Sequence, residues 1–191
     1  MQTLDAYLEI SAETLQNLKG DRITRAMEQA VAAIVGALSQ GRPLLICGNG
    51  GSAADATHIA GEIVGRFLRQ RRAYNAIALT TDPAVLTAVG NDYGYDEIFA
   101  RQVEAHGGEG AVLVAITTSG NSANVLRAAE VARGLEMTVV GLTGRGGGEL
   151  AKLSDILLDV PVQSTPLIQQ AHQCLYHFLC EAVENRLADG E

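Results

Sequence analysis

At 191 residues, with 47% apolar and 19% charged residues, the chain suits one folded domain with a substantial core rather than a disordered segment. A net charge of −8 argues against general affinity for nucleic acid or anionic membranes, which need a basic surface, so neither is expected as a partner. An anionic ligand would then have to be held by local dipoles and neutral donors.

The opening residues, MQTLDAYLEI, lack a basic stretch followed by an apolar run, so no secretory signal is read. From about 1 to 40 the pattern is helical, with a break at Gly20-Asp21. Met27, Val31, Ile34, Val35 and Leu38 follow the spacing of an amphipathic helix. PLLIC (43–47), AIAL (76–79), AVLVAI (111–116), TVVGL (138–142) and ILLDV (156–160) are short apolar runs without alternation, as in strands covered on both faces. Helices are expected at about 52–68, after Pro83, at 96–105, at 123–133 with Gly134 as cap, near 149–153 and at 166–188. Alternating strands and helices predict an α/β parallel sheet wound by right-handed crossovers, in a single domain over 1–191. Cys47, Cys174 and Cys180 are an odd number without C-x-x-C spacing, which speaks for a reducing, cytoplasmic setting. No apolar stretch approaches the ~20 residues that span a bilayer.

Two loops look suited to phosphate. CGNGGS (47–52) follows a strand and opens a helix, with Gly48, Gly50 and Gly51 allowing a sharp turn and close backbone approach. A helix N-terminus favours an anion, and Ser52 is a candidate cap or phosphate donor. TTSGNS (117–122) stands in the same context and offers Thr117, Thr118, Ser119 and Ser122 as neutral donors. Either loop alone is compatible with plain turn formation or capping. Two at the carboxyl ends of strands are better explained by one shared ligand. GxxxxGK[ST] is absent, and the acidic residue that a dinucleotide fingerprint needs about 20 positions on is missing. A third glycine cluster, GRGGG (144–148), reads as a flexible connection without chemistry.

THIAGE (57–62) puts His58 and Glu62 one helical turn apart. Such a pair is most often a surface contact worth about 0.2–0.5 kcal/mol, but it can also grip a metal ion from one helix face. His172 reads as packing or interface, and His106 as a helix end. Arg66, Arg69, Arg71 and Arg72 form a basic cluster that reads as a solvated helix end, a phosphate attractor or a subunit contact. Cys47 reads as core.

CGNGGSAADATHIAGE and AITTSGNSANV resemble the sugar isomerase (SIS) domain family, and GNDYGYDEIFARQVEA and PLIQQAHQCLYH narrow the likeness to its phosphoheptose isomerase branch. The resemblance implies a five-stranded parallel sheet flanked by helices, a flavodoxin-like three-layer sandwich whose terminal helices assemble a homotetramer. It implies conversion of sedoheptulose 7-phosphate to D-glycero-D-manno-heptose 7-phosphate, toward ADP- or GDP-heptose for surface polysaccharide. Carried over, substrate contacts fall on Asn49, Gly50, Gly51, Asn91, Asp92, Thr117, Thr118, Ser119, Ser122 and Gln169. Zinc ligands, one ion per subunit, fall on His58, Glu62, Gln169 and His177, and the acid–base pair on Glu62 and His177. Thr117 stands where Ser is frequent, and Leu167 and Gln170 where many members carry Arg and Glu. By its own residues Asn91-Asp92 would be a turn.

Ketose–aldose isomerisation needs a base for a carbon-bound proton and a proton carrier at the oxygens. A partly desolvated carboxylate and an imidazole suit those tasks near neutral pH. A glutamate held tightly by zinc is a weaker base, so the acid–base roles are the firmer expectation. The alternative is a non-catalytic SIS adaptor in DNA replication initiation, which should lose the acid–base pair that is present here.

Overall fold

The computed structural model describes residues 3–190; Met1, Gln2 and Glu191, the ends of the expected domain, lie outside the described residues. In chain order the elements are α1 (Leu4–Gln16), α2 (Asp21–Ser39), β1 (Leu44–Gly48), α3 (Gly51–Val64), β2 (Ala76–Ala78) and α4 (Pro83–Asp92). A 3-10 turn (Tyr95–Glu97), α5 (Ala100–His106), β3 (Val112–Thr117), α6 (Ala123–Gly134), β4 (Thr138–Thr143), α7 (Leu150–Leu153), β5 (Ile156–Asp159) and α8 (Thr165–Ala188) follow. All strand pairings are parallel, in the order β2-β1-β3-β4-β5. Among the described residues no helix is long and apolar enough to cross a membrane.

The unbroken apolar strands have a simple explanation in the layering. Leu44, Ile46, Val112, Val114 and Ile116 face a core shared with α2, α3 and α8. The residues between them, Leu45, Cys47, Leu113 and Ala115, face a second core under α5 and α6. Both faces are dry, so neither register of the pleat calls for a polar residue. Cys47 is fully buried, and burial pushes its thiol up to about 12.

Several boundaries have local causes. Gly20 adopts φ +146°, where L side chains are rarely found, and separates α1 from α2. Asp82 caps α4 by accepting from the Ala84 and Val85 N–H groups at 2.9 and 3.1 Å, with Pro83 in the first turn. The helix expected at 96–105 is a 3-10 turn followed by α5. Gly134 is the last residue of α6 rather than its cap; the left-handed position is Glu136, at φ +57°.

The largest departure is α3, which ends at Val64 instead of running to 68. The Glu184 carboxylate of α8 accepts from the Phe67, Leu68 and Arg69 N–H groups at 2.8, 2.6 and 2.7 Å. Those amides find a charged acceptor across the structure, so the helix gains nothing by continuing.

Candidate active site

The chain leaves β1 and β3, neighbours at the middle of the sheet, toward opposite faces, so the loops after them open a crevice where ligands of such sheets bind. Both expected loops lie there. Gly50, at φ +56°, is the N-cap of α3, and Ser52 is buried in the first turn, so Ser52 does not cap the helix. A Cβ on Gly51 would stand 2.3 Å from Gln169 Nε2, which brings the α8 amide against the start of α3.

In the second loop the hydroxyls gather. Thr117 Oγ1 lies 2.9 Å from Ser122 Oγ and 3.3 Å from Ser119 Oγ, and Ser119 Oγ accepts from the Asn121 N–H at 3.1 Å. Thr118 sits beside them, half-buried. The cluster can offer several O–H donors to one anion.

GRGGG, expected as a flexible connection, is instead the buttress of this loop. A Cβ on Gly120 would fall 2.0 Å from the Gly147 carbonyl oxygen, so the two backbones are in direct contact. The Gly144 N–H donates to Thr118 O, the Leu150 N–H to Gly120 O and the Glu149 N–H to Asn121 Oδ1.

The two cradles are joined by a residue the sequence reading gave no role. Asn49 Nδ2 donates to Asn124 Oδ1 at 2.8 Å, and Asn124 Nδ2 returns a bond to Asn49 Oδ1 at 2.9 Å. Tyr95 also donates to Asn49 Oδ1, at 3.0 Å. Asn49, Gly50, Thr80, Thr87 and Tyr95 help line a cavity of about 450 Å³ beside the first loop. Asn91 and Asp92, expected as substrate contacts, are exposed at the end of α4 and bonded to each other at 2.7 Å. They are not among the residues that line this cavity.

α3 and α8 run side by side in one direction, pairing Gly51 with Gln169 and His58 with Tyr176 and His177. His58 Nε2 is 3.1 Å from Glu62 Oε1, and its ring meets that of His177 edge-on at 5.0 Å. Glu62 is 23% exposed, a partly desolvated carboxylate as expected. Residues from two distant helices thus form one carboxylate–imidazole cluster. On α3, His58 lies seven residues past Gly51 and Glu62 eleven, about 10 and 16 Å along the axis at 1.5 Å per residue.

Tyr176 and Asp55 organise this cluster, and neither was singled out from the sequence. The Tyr176 hydroxyl donates to Asp55 Oδ1 at 3.4 Å and lies 3.1 Å from His58 Nδ1. Burial, with Asp55 beside it, pushes the Tyr176 phenol far up, so it stays protonated; burial also raises Asp55. With the phenolic O–H directed at Asp55, the Tyr176 oxygen can accept from His58 Nδ1–H, which leaves the Nε2 lone pair toward Glu62. In that tautomer Nε2 and Glu62 Oε1, 3.1 Å apart, are two lone-pair donors facing one another.

Zinc bonds imidazole nitrogen and carboxylate oxygen at about 2.0–2.2 Å, so that separation suits two ligands of one ion. The expected set is only half assembled as it stands. Gln169 lies against Gly51, and among the described residues no group of three or more His, Cys, Asp or Glu is arranged to hold a metal. His58 and Glu62 fit; Gln169 and His177 would have to close on them.

The remaining candidates have structural places. His172 is fully buried against the Thr143 carbonyl at 3.1 Å, and burial lowers its pKa to about 4, so it is a neutral core residue. His106 ends α5 as expected. Of the basic cluster, Arg69 pairs with Asp189 at 2.7 Å, Arg72 lies over the Tyr74 ring and Arg71 is buried.

Hydroxyl- and glycine-rich loops at the switch point of a parallel sheet, with a carboxylate–imidazole cluster on the adjoining helices, are what a sugar isomerase domain calls for. The SIS domain family model matches residues 6–144. The phosphoheptose isomerase of Rhodospirillum rubrum is 52% identical over 85% of this chain and 86% of its own length. A phosphoheptose isomerase structure from Francisella tularensis superposes with a TM-score of 0.91 at 41% identity, covering 97% of this chain and 100% of that one. The corresponding structure from Neisseria gonorrhoeae gives 0.89 at 42% identity, over 95% and 97%. The chain belongs to the phosphoheptose isomerase family of SIS domain proteins and is an isomerase.

Proposed function

We propose that the chain converts sedoheptulose 7-phosphate to D-glycero-D-manno-heptose 7-phosphate through an enediol, supplying a precursor of nucleotide-activated heptose for surface polysaccharide. The observation that carries this reading is His58 touching both Glu62 and His177 on the two helices that bring Gly51 and Gln169 together at their other end. The phosphate rests on Asn49, Gly50, Gly51 and the hydroxyls of Thr117, Thr118, Ser119 and Ser122.

Glu62 takes a proton from C1, and the electron pair moves to form the C1–C2 double bond while O2 gains a proton. His177 supplies that proton to O2 and is restored by taking the proton of O1, so that when Glu62 returns its proton to C2, O1 is left as the aldehyde. Carbon and oxygen protons balance, and neither residue ends changed. Zinc, one ion per subunit, is the proposed cofactor, held by His58 and Glu62 with Gln169 and His177. When bound it would polarise the substrate oxygens. Asn91 and Asp92, exposed at the end of α4, would add further substrate contacts.

We further assign the chain to a cytoplasmic homotetramer. Support comes from three free cysteines and from exposed Leu4, Leu8 and Phe178 on the terminal helices, the last of them lining a 440 Å³ groove between α1, α2 and α8. The decisive experiment follows aldose formation from sedoheptulose 7-phosphate by wild type, Glu62→Gln and His177→Gln. Loss of roughly 10²–10⁴-fold in kcat is expected in each variant. Full turnover in both would refute the assignment.

A further inference from the structure

Glu184 lies on α8 two turns beyond His177, on the same helix face. Its side chain and that of Arg71 are each 1% exposed, with Arg71 Nε 3.3 Å from Glu184 Oε1. Burial alone would raise the Glu184 pKa, but the three amide donors of residues 67–69 and the Arg71 charge outweigh it and hold the carboxylate ionised. Arg71 spends its other nitrogens on carbonyl oxygens: Glu62 at 2.8 Å, Gly65 at 3.0 Å and Arg72 at 2.9 Å.

The pair therefore touches both halves of the acid–base cluster. Through Arg71 it holds the backbone carbonyl of Glu62. Through Glu184 it holds the Phe67 amide, and the Phe67 ring packs on His177 at 5.8 Å and 41°. Stability alone is a poor explanation for burying two opposite charges, since apolar side chains of similar size often serve as well or better. An apolar pair could not grip three N–H groups and three carbonyls in fixed directions, as this one does.

We propose that Arg71 and Glu184 are positioning residues for the isomerisation, fastening the end of α3 to α8 so that Glu62 and His177 keep their separation. The inference rests on the acid–base reading above. Gly51 and Gln169, which mark the cradle, lie at the opposite end of the same two helices. Loosening the clamp therefore misplaces the reacting groups and leaves the phosphate anchored, which lowers kcat and spares KM.

The test measures initial rates with sedoheptulose 7-phosphate and Tm for the full chain carrying Glu184→Gln, Arg71→Lys or Leu38→Ala. Arg71→Lys keeps a buried charge pair but loses the planar fork, so it carries the test if Glu184→Gln fails to fold. Both clamp variants are expected to lose roughly tenfold to a hundredfold in kcat with KM held within about threefold. Leu38→Ala, in the α2 core, should lower Tm comparably and leave kcat near wild type. Clamp variants with kcat within about twofold of wild type, or with Leu38→Ala equally slowed, would overturn the proposal. Glu62→Gln, assayed in parallel, separates the two readings. If it alone loses turnover, only the clamp is wrong; if it stays active, the acid–base reading falls and takes the clamp with it.

Discussion

Asn49 and Asn124 exchange two side-chain hydrogen bonds, at 2.8 and 2.9 Å, across the gap between the loops that follow β1 and β3. Each amide satisfies the other, and Asn124 is only 2% exposed, so water cannot readily replace a lost partner. Asn124→Ala should cost about 1–3 kcal/mol of stability. It should also raise KM for the sugar phosphate, because the cradles lose their common reference. Chemical denaturation and steady-state kinetics check both; an unchanged KM would show that the loops hold their places independently.

Gly120→Ala should be worse than its size suggests. The position has φ +71°, and the new methyl would collide with the Gly147 carbonyl. Strain of about 1–3 kcal/mol is expected from the backbone alone, before the clash is counted. Competition by inorganic phosphate should weaken together with Tm. A variant that keeps wild-type phosphate affinity would contradict the buttress role of the 144–148 loop.

Tyr176→Phe removes the hydroxyl that engages His58 Nδ1 and keeps the ring that packs in the core. Imidazole ligands depend on such outer partners for orientation, and losing one commonly costs 10–100-fold in metal affinity. Chelator competition monitored by zinc release should show a loss of about that size. Equal affinity in variant and wild type would detach Tyr176 from the proposed zinc site.

His172 gives the stability a pH dependence of predictable sign. Burial lowers its pKa from 6.5 in the unfolded chain to about 4 in the fold. Above 6.5 both states are neutral and the residue has no effect. As pH falls below 6.5 only the unfolded chain takes up the proton, so stability is lost, reaching about 3 kcal/mol near pH 4. His172→Gln should lose less Tm than wild type between about pH 7.5 and 4.5. A variant with the same acid slope would point to other groups.

The parts of this fold legible in the sequence are those with short-range causes. Five apolar runs became five strands because both faces of the sheet are dry, and the two loops proposed to hold phosphate could be read from glycines and hydroxyls next to strand ends. The end of α3 was not legible, because the group that stops it, Glu184, lies 117 residues from Phe67. Arg71 could not be told from Arg66, Arg69 and Arg72, since only the fold decides which guanidinium is buried. Asn124 stood inside a motif already noticed, but its partner Asn49 lies on another loop. Tyr176 was not singled out, because its partners Asp55 and His58 lie on α3, more than a hundred residues away.

The contact of Gly120 on Gly147 has one more consequence, for anyone who wishes to move this binding site to another scaffold. With no side chains between them, the segments after β3 and β4 behave as a single moulded piece, and an insertion in one would pry open the other. A graft limited to the hydroxyl-bearing segment would arrive without its backing and lose its shape. The smallest transferable unit spans both strands and both turns.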